Sequence, residues 1–228
     1  MDIDKRLTAL IDWVRDTAAP AGGLLVPLSG GSDSALIFWL LNQALADSKT
    51  KVVGVHIGNN LRCREWFESI GTVRLVNMPT LDADDNAEVT RWAKVQSLCV
   101  KERRWLVGSR NRTEEALGTY SFASSVATYL PLANILKSDV MELCALAGVP
   151  EEILASSRRA DPDCGRPEAM AEIALEDIDV YLRVKLGESE TSALAACAGL
   201  NAARLAYLDS VYERNKFKRL LPKKGPVL

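Results

Sequence analysis

Apolar positions in the first hundred residues follow two periods in turn. Ile3, Leu7, Leu10, Ile11 and Val14 recur every three or four residues, which predicts an amphipathic helix closed by Pro20 and the Gly22-Gly23 pair. Residues 24–28 form an unbroken apolar run and predict a buried strand. A helix over 35–46 follows, then a β-branched strand over 51–57 bounded by Gly58-Asn59-Asn60. A brief helix over 61–69, a strand over 72–76, a helix over 86–101 and a strand over 104–107, ended by Gly108, complete the series. Strands that alternate with helices predict βαβ units, hence an α/β chain with a mostly parallel sheet. Such sheets bind ligands outside the C-terminal ends of their strands. Ser29-Gly30-Gly31 and Gly108-Ser109 both fall at such ends.

The second half changes character. Ser138 is the predicted N-cap of a helix over 139–147, which Gly148 stops, with Pro150 just beyond. Residues 156–167 are polar and Pro-containing and predict a loop. Residues 168–186 and 191–215 predict helices, and 216–224 a basic tail. No repeat or linker composition divides the chain. The expectation is one domain over 1–228, with an α/β core over 1–150 and a helical C-terminal extension over 151–228.

Composition narrows the function classes. With 228 residues and 48% apolar side chains, the chain can bury one substantial core. A formal net charge of -2 gives no basic field of the kind that grips nucleic acid. Charges recur from Asp2 onward and no apolar run approaches a membrane span, so a cytoplasmic location is expected. The five cysteines (Cys63, Cys99, Cys144, Cys164 and Cys197) are widely separated, which argues against a disulfide framework and against a zinc cage. Cys99, Cys144 and Cys197 sit in apolar helical contexts and read as core. Cys164, in a polar Asp-Pro-Asp-Cys-Gly stretch, is the candidate for a reactive thiol. His56 stands alone, which excludes a His-based triad or a His metal cluster.

The segment that carries chemistry is Ser29-Gly30-Gly31-Ser32-Asp33-Ser34, placed between a strand and a helix. Glycines remove side chains where the backbone turns and where a ligand must come close. Backbone N–H groups, serine hydroxyls and the positive helix end then face one concavity, which suits phosphate or pyrophosphate. Asp33 is out of place in a turn that only grips an anion, but a bridging Mg²⁺ gives its carboxylate a use. The plainer reading is a capped helix with a Gly-rich turn. The full six-residue string after a strand is far more specific than a bare Gly-Gly, and the Gly-x-x-x-x-Gly-Lys-Ser/Thr loop is absent from the chain.

This turn matches the Ser-Gly-Gly-x-Asp-Ser signature of the ATP pyrophosphatase superfamily, and four further segments resemble ammonia-dependent NAD synthetases. They are Val107 to Glu114, Leu130 to Lys137 (leading into Leu143 to Pro150), Ile173 to Leu182 with Glu176, Asp177, Ile178 and Asp179 in place, and the basic Asn215 to Pro222. The resemblance implies a three-layer Rossmann-like sandwich with a mostly parallel sheet, plus a helical C-terminal part. It implies that ATP adenylates the nicotinate carboxylate of deamido-NAD with release of pyrophosphate, and that ammonia then displaces AMP. Ser29, Gly30, Gly31, Ser32, Asp33, Ser34, Ser109 and Lys137 would hold ATP. Asp33 and Glu114 would bind Mg²⁺, and Asp33 and Lys137 would serve catalysis. His56, at a strand end, would line the adenine pocket or be structural.

The acceptor half departs from the family. Thr119-Tyr120-Ser121-Phe122-Ala123-Ser124 replaces an aromatic-Thr-x-Tyr-Gly-Asp stretch, without its Lys and Asp. Arg91 is what remains of a basic Lys-x-Arg-x-Arg patch. Arg158, Arg159 and Arg166 are new guanidinium groups in that region, able to pair with a carboxylate or phosphate, or to stand as a solvated loop. Another carboxylate acceptor therefore stays open. So do sulfur transfer using Cys164 and a nucleotide-binding subunit without turnover, although retention of Asp33, Glu114 and Lys137 speaks against the last. Nitrogen would come from free ammonia or from a separate glutaminase subunit. A homodimer is implied, with the apolar stretch over 191–212 as one candidate interface. No nucleic acid and no membrane are expected as partners.

Overall fold

The computed structural model describes residues 2–18, 20–82, 85–158 and 168–221. The α/β expectation holds. Strands β1 (Gly23–Pro27), β2 (Lys51–Ile57), β3 (Thr72–Val76) and β4 (Trp105–Leu106) form a parallel sheet in the order β3-β2-β1-β4. Leu24 stands opposite Val52 on one side and Trp105 on the other, so β1 is central. Between and after the strands run α1 (Ile3–Ala18), α2 (Ser32–Ala44), α3 (Arg64–Ile70), α4 (Ala87–Glu102), α5 (Arg112–Leu117), α6 (Lys137–Leu146), α7 (Glu151–Arg158), α8 (Glu168–Ala171), α9 (Leu175–Lys185), α10 (Ala202–Arg214) and α11 (Lys216–Arg219).

The alternation along β1 builds the layers. Leu24 and Val26 point into a core shared with α1, α2 and α6, while Leu25 points into a second core with Val55, Val95, Cys99 and Leu106. Both faces are thus covered, which is why this strand reads as a continuous apolar run. Helix α2 is apolar nearly all round, with Leu36, Ile37, Phe38, Leu40 and Leu41 fully buried. Each such side chain contributes about 1.5–3 kcal/mol by leaving water. Close packing of α2 on β2 needs Gly54, where a Cβ would lie 2.5 Å from Leu28 Cδ1 and 2.9 Å from Phe38 Cε2. A third core gathers Leu117, Leu136, Tyr181, Leu182 and Leu208 beneath the C-terminal helices.

Several expected elements differ. Helix α2 begins at Ser32, so Ser32, Asp33 and Ser34 are its first turn. Helix α7 occupies the start of the stretch expected as a loop over 156–167, because Ile153 and Leu154 are buried and their N–H groups close on the carbonyl of Pro150. The single helix expected over 168–186 is divided into α8 and α9, with Ile173 buried at the break. Residues Thr191–Ala196 form a 3-10 turn, and α10 starts only after Asn201, whose side chain caps the N–H of Arg204. The continuous helix expected over 191–215 is therefore not formed, nor is the unbroken apolar face over 191–212. The N-cap of α6 is Leu136 rather than Ser138. Cys99 and Cys144 are buried as expected, but Cys197 is only half-buried at the end of the 3-10 turn. Cys164 lies outside the described residues. No helix among the described residues is long and apolar enough to cross a membrane.

Candidate active site

The turn after β1 is shaped by its own residues. Gly30 adopts φ +82, a left-handed conformation that glycine takes without strain. Ser29 Oγ accepts from the Gly31 N–H at 3.2 Å and lies 3.1 Å from Ser34 Oγ, which in turn donates to the Gly31 carbonyl at 3.0 Å. The N-cap of α2 is Gly31, which has no side chain to satisfy the first-turn N–H groups. The Ser32 N–H instead reaches Ser157 Oγ on α7 at 3.3 Å. Serines and amides are thereby gathered at a helix start, a setting suited to an anion.

Two further segments close on Asp33. Helix α5 begins with a reciprocal cap: Asn111 Oδ1 accepts from the Glu114 N–H at 3.0 Å, and Glu114 Oε2 accepts from the Asn111 N–H at 3.0 Å. The free end of the Asn111 amide donates to Asp33 Oδ1 at 2.9 Å. Lys137, the first residue of α6, ion-pairs with Asp33 Oδ2 and donates to Ser32 Oγ at 2.8 Å. The side chains of Lys137 and Asp33 are only 14% and 19% exposed, so the pair is shielded from solvent. Cys144 lies beneath the turn and donates to the Ser32 carbonyl at 3.4 Å.

This crowding shifts the ionisable groups. Burial and then the neighbouring Asp33 push the Glu114 carboxyl up to about 7, although Lys137 pulls it down. Burial works against the charged form of Lys137, but Asp33 and then Glu114 outweigh it and hold the ammonium above its ordinary pKa. Burial, with Asp33 nearby, pushes the Cys144 thiol up to about 12, so it stays protonated and inert. Two carboxyl groups and one lysine thus share a small volume, with the Arg110 guanidinium close enough to act on Glu114.

The structure brings Ser29, Gly30, Gly31, Ser32, Asp33, Ser34, Glu114 and Lys137 into one cluster, and Ser109 stands two residues from Asn111. Arg91 is exposed on α4. Arg158 pairs with Glu151 at 2.6 Å along α7. Arg159 and Arg166 lie outside the described residues. His56 accepts from or donates to no residue of the cluster; its Nδ1 lies 2.8 Å from the Leu28 carbonyl, beside the turn. Asn111 is the cluster residue that the sequence reading left without a role. Its Asn-x-x-Glu spacing is a capping-box signature visible in the chain.

A parallel sheet with a glycine–serine turn at its C-terminal edge defines the chain as an α/β protein of the nucleotide-binding type. The NAD synthase family model matches residues 78–222, which include the Asn111–Glu114 cap and Lys137. The chain belongs to the NAD synthase family, whose members are carbon–nitrogen ligases that use ATP. It is 25% identical to the NH(3)-dependent NAD(+) synthetase of Methanosarcina mazei, over 97% of this chain and 98% of that protein. Among solved structures, the NMN synthetase of Francisella tularensis superposes with TM-score 0.75 at 18% identity, covering 100% of both chains. The NH3-dependent NAD synthetase of Campylobacter jejuni does so with TM-score 0.73 at 17% identity, covering 100% of this chain and 99% of that one.

Proposed function

We propose that the chain adenylates the nicotinate carboxylate of deamido-NAD with ATP and passes the activated acyl group to ammonia, giving NAD, AMP and pyrophosphate. The observation that carries this reading is the convergence of Asp33, Asn111, Glu114 and Lys137 on the Ser29–Ser34 turn. Serines and helix N–H groups bind phosphate oxygens. Lys137 adds a point charge where negative charge builds on the departing pyrophosphate, a type of contribution worth about 10²–10³ in rate.

Asp33 and Glu114 suit Mg²⁺, which is commonly held by one or two carboxylates together with substrate phosphates. The fit rests on the placing of the two carboxylates by one residue: Asn111 donates from its side-chain amide to Asp33 Oδ1 at 2.9 Å and from its backbone N–H to Glu114 Oε2 at 3.0 Å. Bound there, the ion would neutralise charge on the triphosphate. In the first half-reaction a carboxylate oxygen bonds the α-phosphorus, and the bond from that phosphorus to the bridging oxygen breaks. In the second, the lone pair of ammonia attacks the acyl carbon, AMP leaves with the original carboxylate oxygen, and the nitrogen loses a proton to solvent. Ammonia is the nitrogen source named for the curated relatives that span nearly the whole chain.

A second reading keeps this chemistry and changes the acceptor to the carboxylate that yields NMN, the product in the name of the F. tularensis relative. The chain departs from the family over 119–124, the stretch that would face the nicotinate end common to both acceptors. Tyr120 there lies under the Arg110 guanidinium at 4.0 Å, and Phe122 begins a 3-10 turn. Oxygen labelling tests adenylation for either acceptor. With ¹⁸O in the acceptor carboxylate, one labelled oxygen must appear in AMP per turnover; unlabelled AMP would rule the mechanism out.

A further inference from the structure

Asp179 on α9 is 2% exposed, a buried carboxylate. Its Oδ1 accepts from Thr113 Oγ1 at 2.6 Å and its Oδ2 from the Ser138 N–H at 2.8 Å. Thr113 Oγ1 in turn accepts from the Lys137 N–H at 2.9 Å. Helix α6 has no side-chain cap of its own, because its N-cap is Leu136. Its first two N–H groups are satisfied from elsewhere, one by Asp179 directly and one through the Thr113 hydroxyl. A carboxylate at the positive end of a helix is favourably placed, which offsets part of its burial cost. That burial raises the Asp179 pKa, against the pull of the Thr113 and Ser138 hydrogen bonds.

The connection matters because of what the two helix starts carry. Thr113 lies between Asn111, which holds Asp33, and Glu114, while Lys137 opens α6 and reaches the other Asp33 oxygen. Fixing Thr113 to the backbone of Lys137 therefore fixes the spacing of the lysine and the Asn111–Glu114 cap around one carboxylate. We propose that Asp179, acting through Thr113, is a positioning residue that sets Lys137 against Asn111 and Glu114 without touching substrate. Small displacements at such sites are costly, since a shift of about 1 Å far from the reacting atoms can lose about a hundredfold in rate.

The inference rests on the proposed function for what the site does, so its test reads ATP binding as well as turnover. The full chain is compared with Asp179→Asn, Thr113→Val, Thr113→Ser and the Asp179→Asn/Thr113→Val double variant. Circular dichroism gives the folded fraction at the assay temperature, and titration calorimetry gives the Kd for MgATP. The expected result is folded Asp179→Asn and Thr113→Val proteins that bind MgATP about 10–100-fold more weakly, with a parallel fall in pyrophosphate release. Thr113→Ser, which keeps the hydroxyl, restores binding to within about threefold, and the double variant is no worse than the weaker single one, because both act on one path. Parent-like Kd values in the folded Asp179→Asn and Thr113→Val proteins overturn the proposal, as does a Thr113→Ser protein as weak as Thr113→Val. Should Asp179→Asn fail to fold, the two Thr113 variants decide. A parent chain that binds MgATP but turns over no acceptor ends the functional reading, while the binding comparison still decides this one; a parent that binds no MgATP ends both.

Discussion

Lys137 and Asp33 form a shielded ion pair across two elements more than a hundred residues apart, and the same ammonium donates to Ser32 Oγ at 2.8 Å. The pair is built where the helix carrying the glycine–serine turn meets the start of α6. Lys137→Met keeps the length of the side chain and removes its charge. Its expected effect is a fall in kcat/KM for ATP of about 10²–10³, with the far-ultraviolet spectrum of the parent. Steady-state kinetics on the folded variant check it, and parent-like turnover would remove Lys137 from the mechanism.

Glu114 gives the metal-free chain a pH dependence of stability. Its folded pKa is about 7, against an ordinary 4.5, from burial first and Asp33 second. Between those values the folded chain holds a proton that the unfolded chain releases. The contribution to stability is therefore full below pH 4.5 and lost as pH rises through 7, with an upper bound of roughly 3 kcal/mol. Glu114→Gln should flatten this decline. Urea unfolding at a series of pH values between 5 and 8, with a chelator present, compares the two slopes; identical slopes would show that Glu114 is not the group responsible.

Gly54 separates fold from site. A Cβ at this position meets Leu28 and Phe38, both buried in the core. Gly54→Ala is expected to cost about 1–3 kcal/mol by overpacking, while the folded fraction binds ATP as the parent does. Denaturant melts and calorimetry measure the two quantities independently.

The thiols distinguish amide formation from sulfur transfer. Burial pushes Cys144 up to about 12 and Cys99 up to about 11, so neither should react with a thiol reagent at pH 8 until the chain unfolds. Cys164→Ser should leave pyrophosphate release unchanged, because no sulfur is transferred. Loss of turnover in that variant alone would restore the thiolation reading.

The parts of the fold legible in the sequence are those where local pattern and tertiary demand agree. The unbroken apolar run of β1 and the Gly30–Gly31 turn that feeds α2 needed no long-range information. Helix α5 is only six residues long, too short for periodicity, and its real signal was the Asn111–Glu114 cap. The stretch over 191–215 was misleading for the opposite reason. Its Ala and Leu spacing imitates a helix, yet Gly199 packs so close to the Asp177 carboxylate that a Cβ would collide there, and Asn201 restarts the helix. In the site, Asp33 is legible from its place in the Ser29–Ser34 turn, whereas Glu114 and Lys137 rest on motif resemblance. The cap of α6 could not be read locally, because Asp179 lies 41 residues beyond Ser138 and the preference of serine for N-caps pointed to the wrong residue.

The most direct measurement is product formation by the purified chain from MgATP, ammonia and deamido-NAD, following AMP, pyrophosphate and NAD together. The account predicts equimolar release of all three, dependent on the acceptor and absent in Asp33→Ala. ATP cleaved to ADP and orthophosphate, or NAD formed equally well by Asp33→Ala, would contradict it.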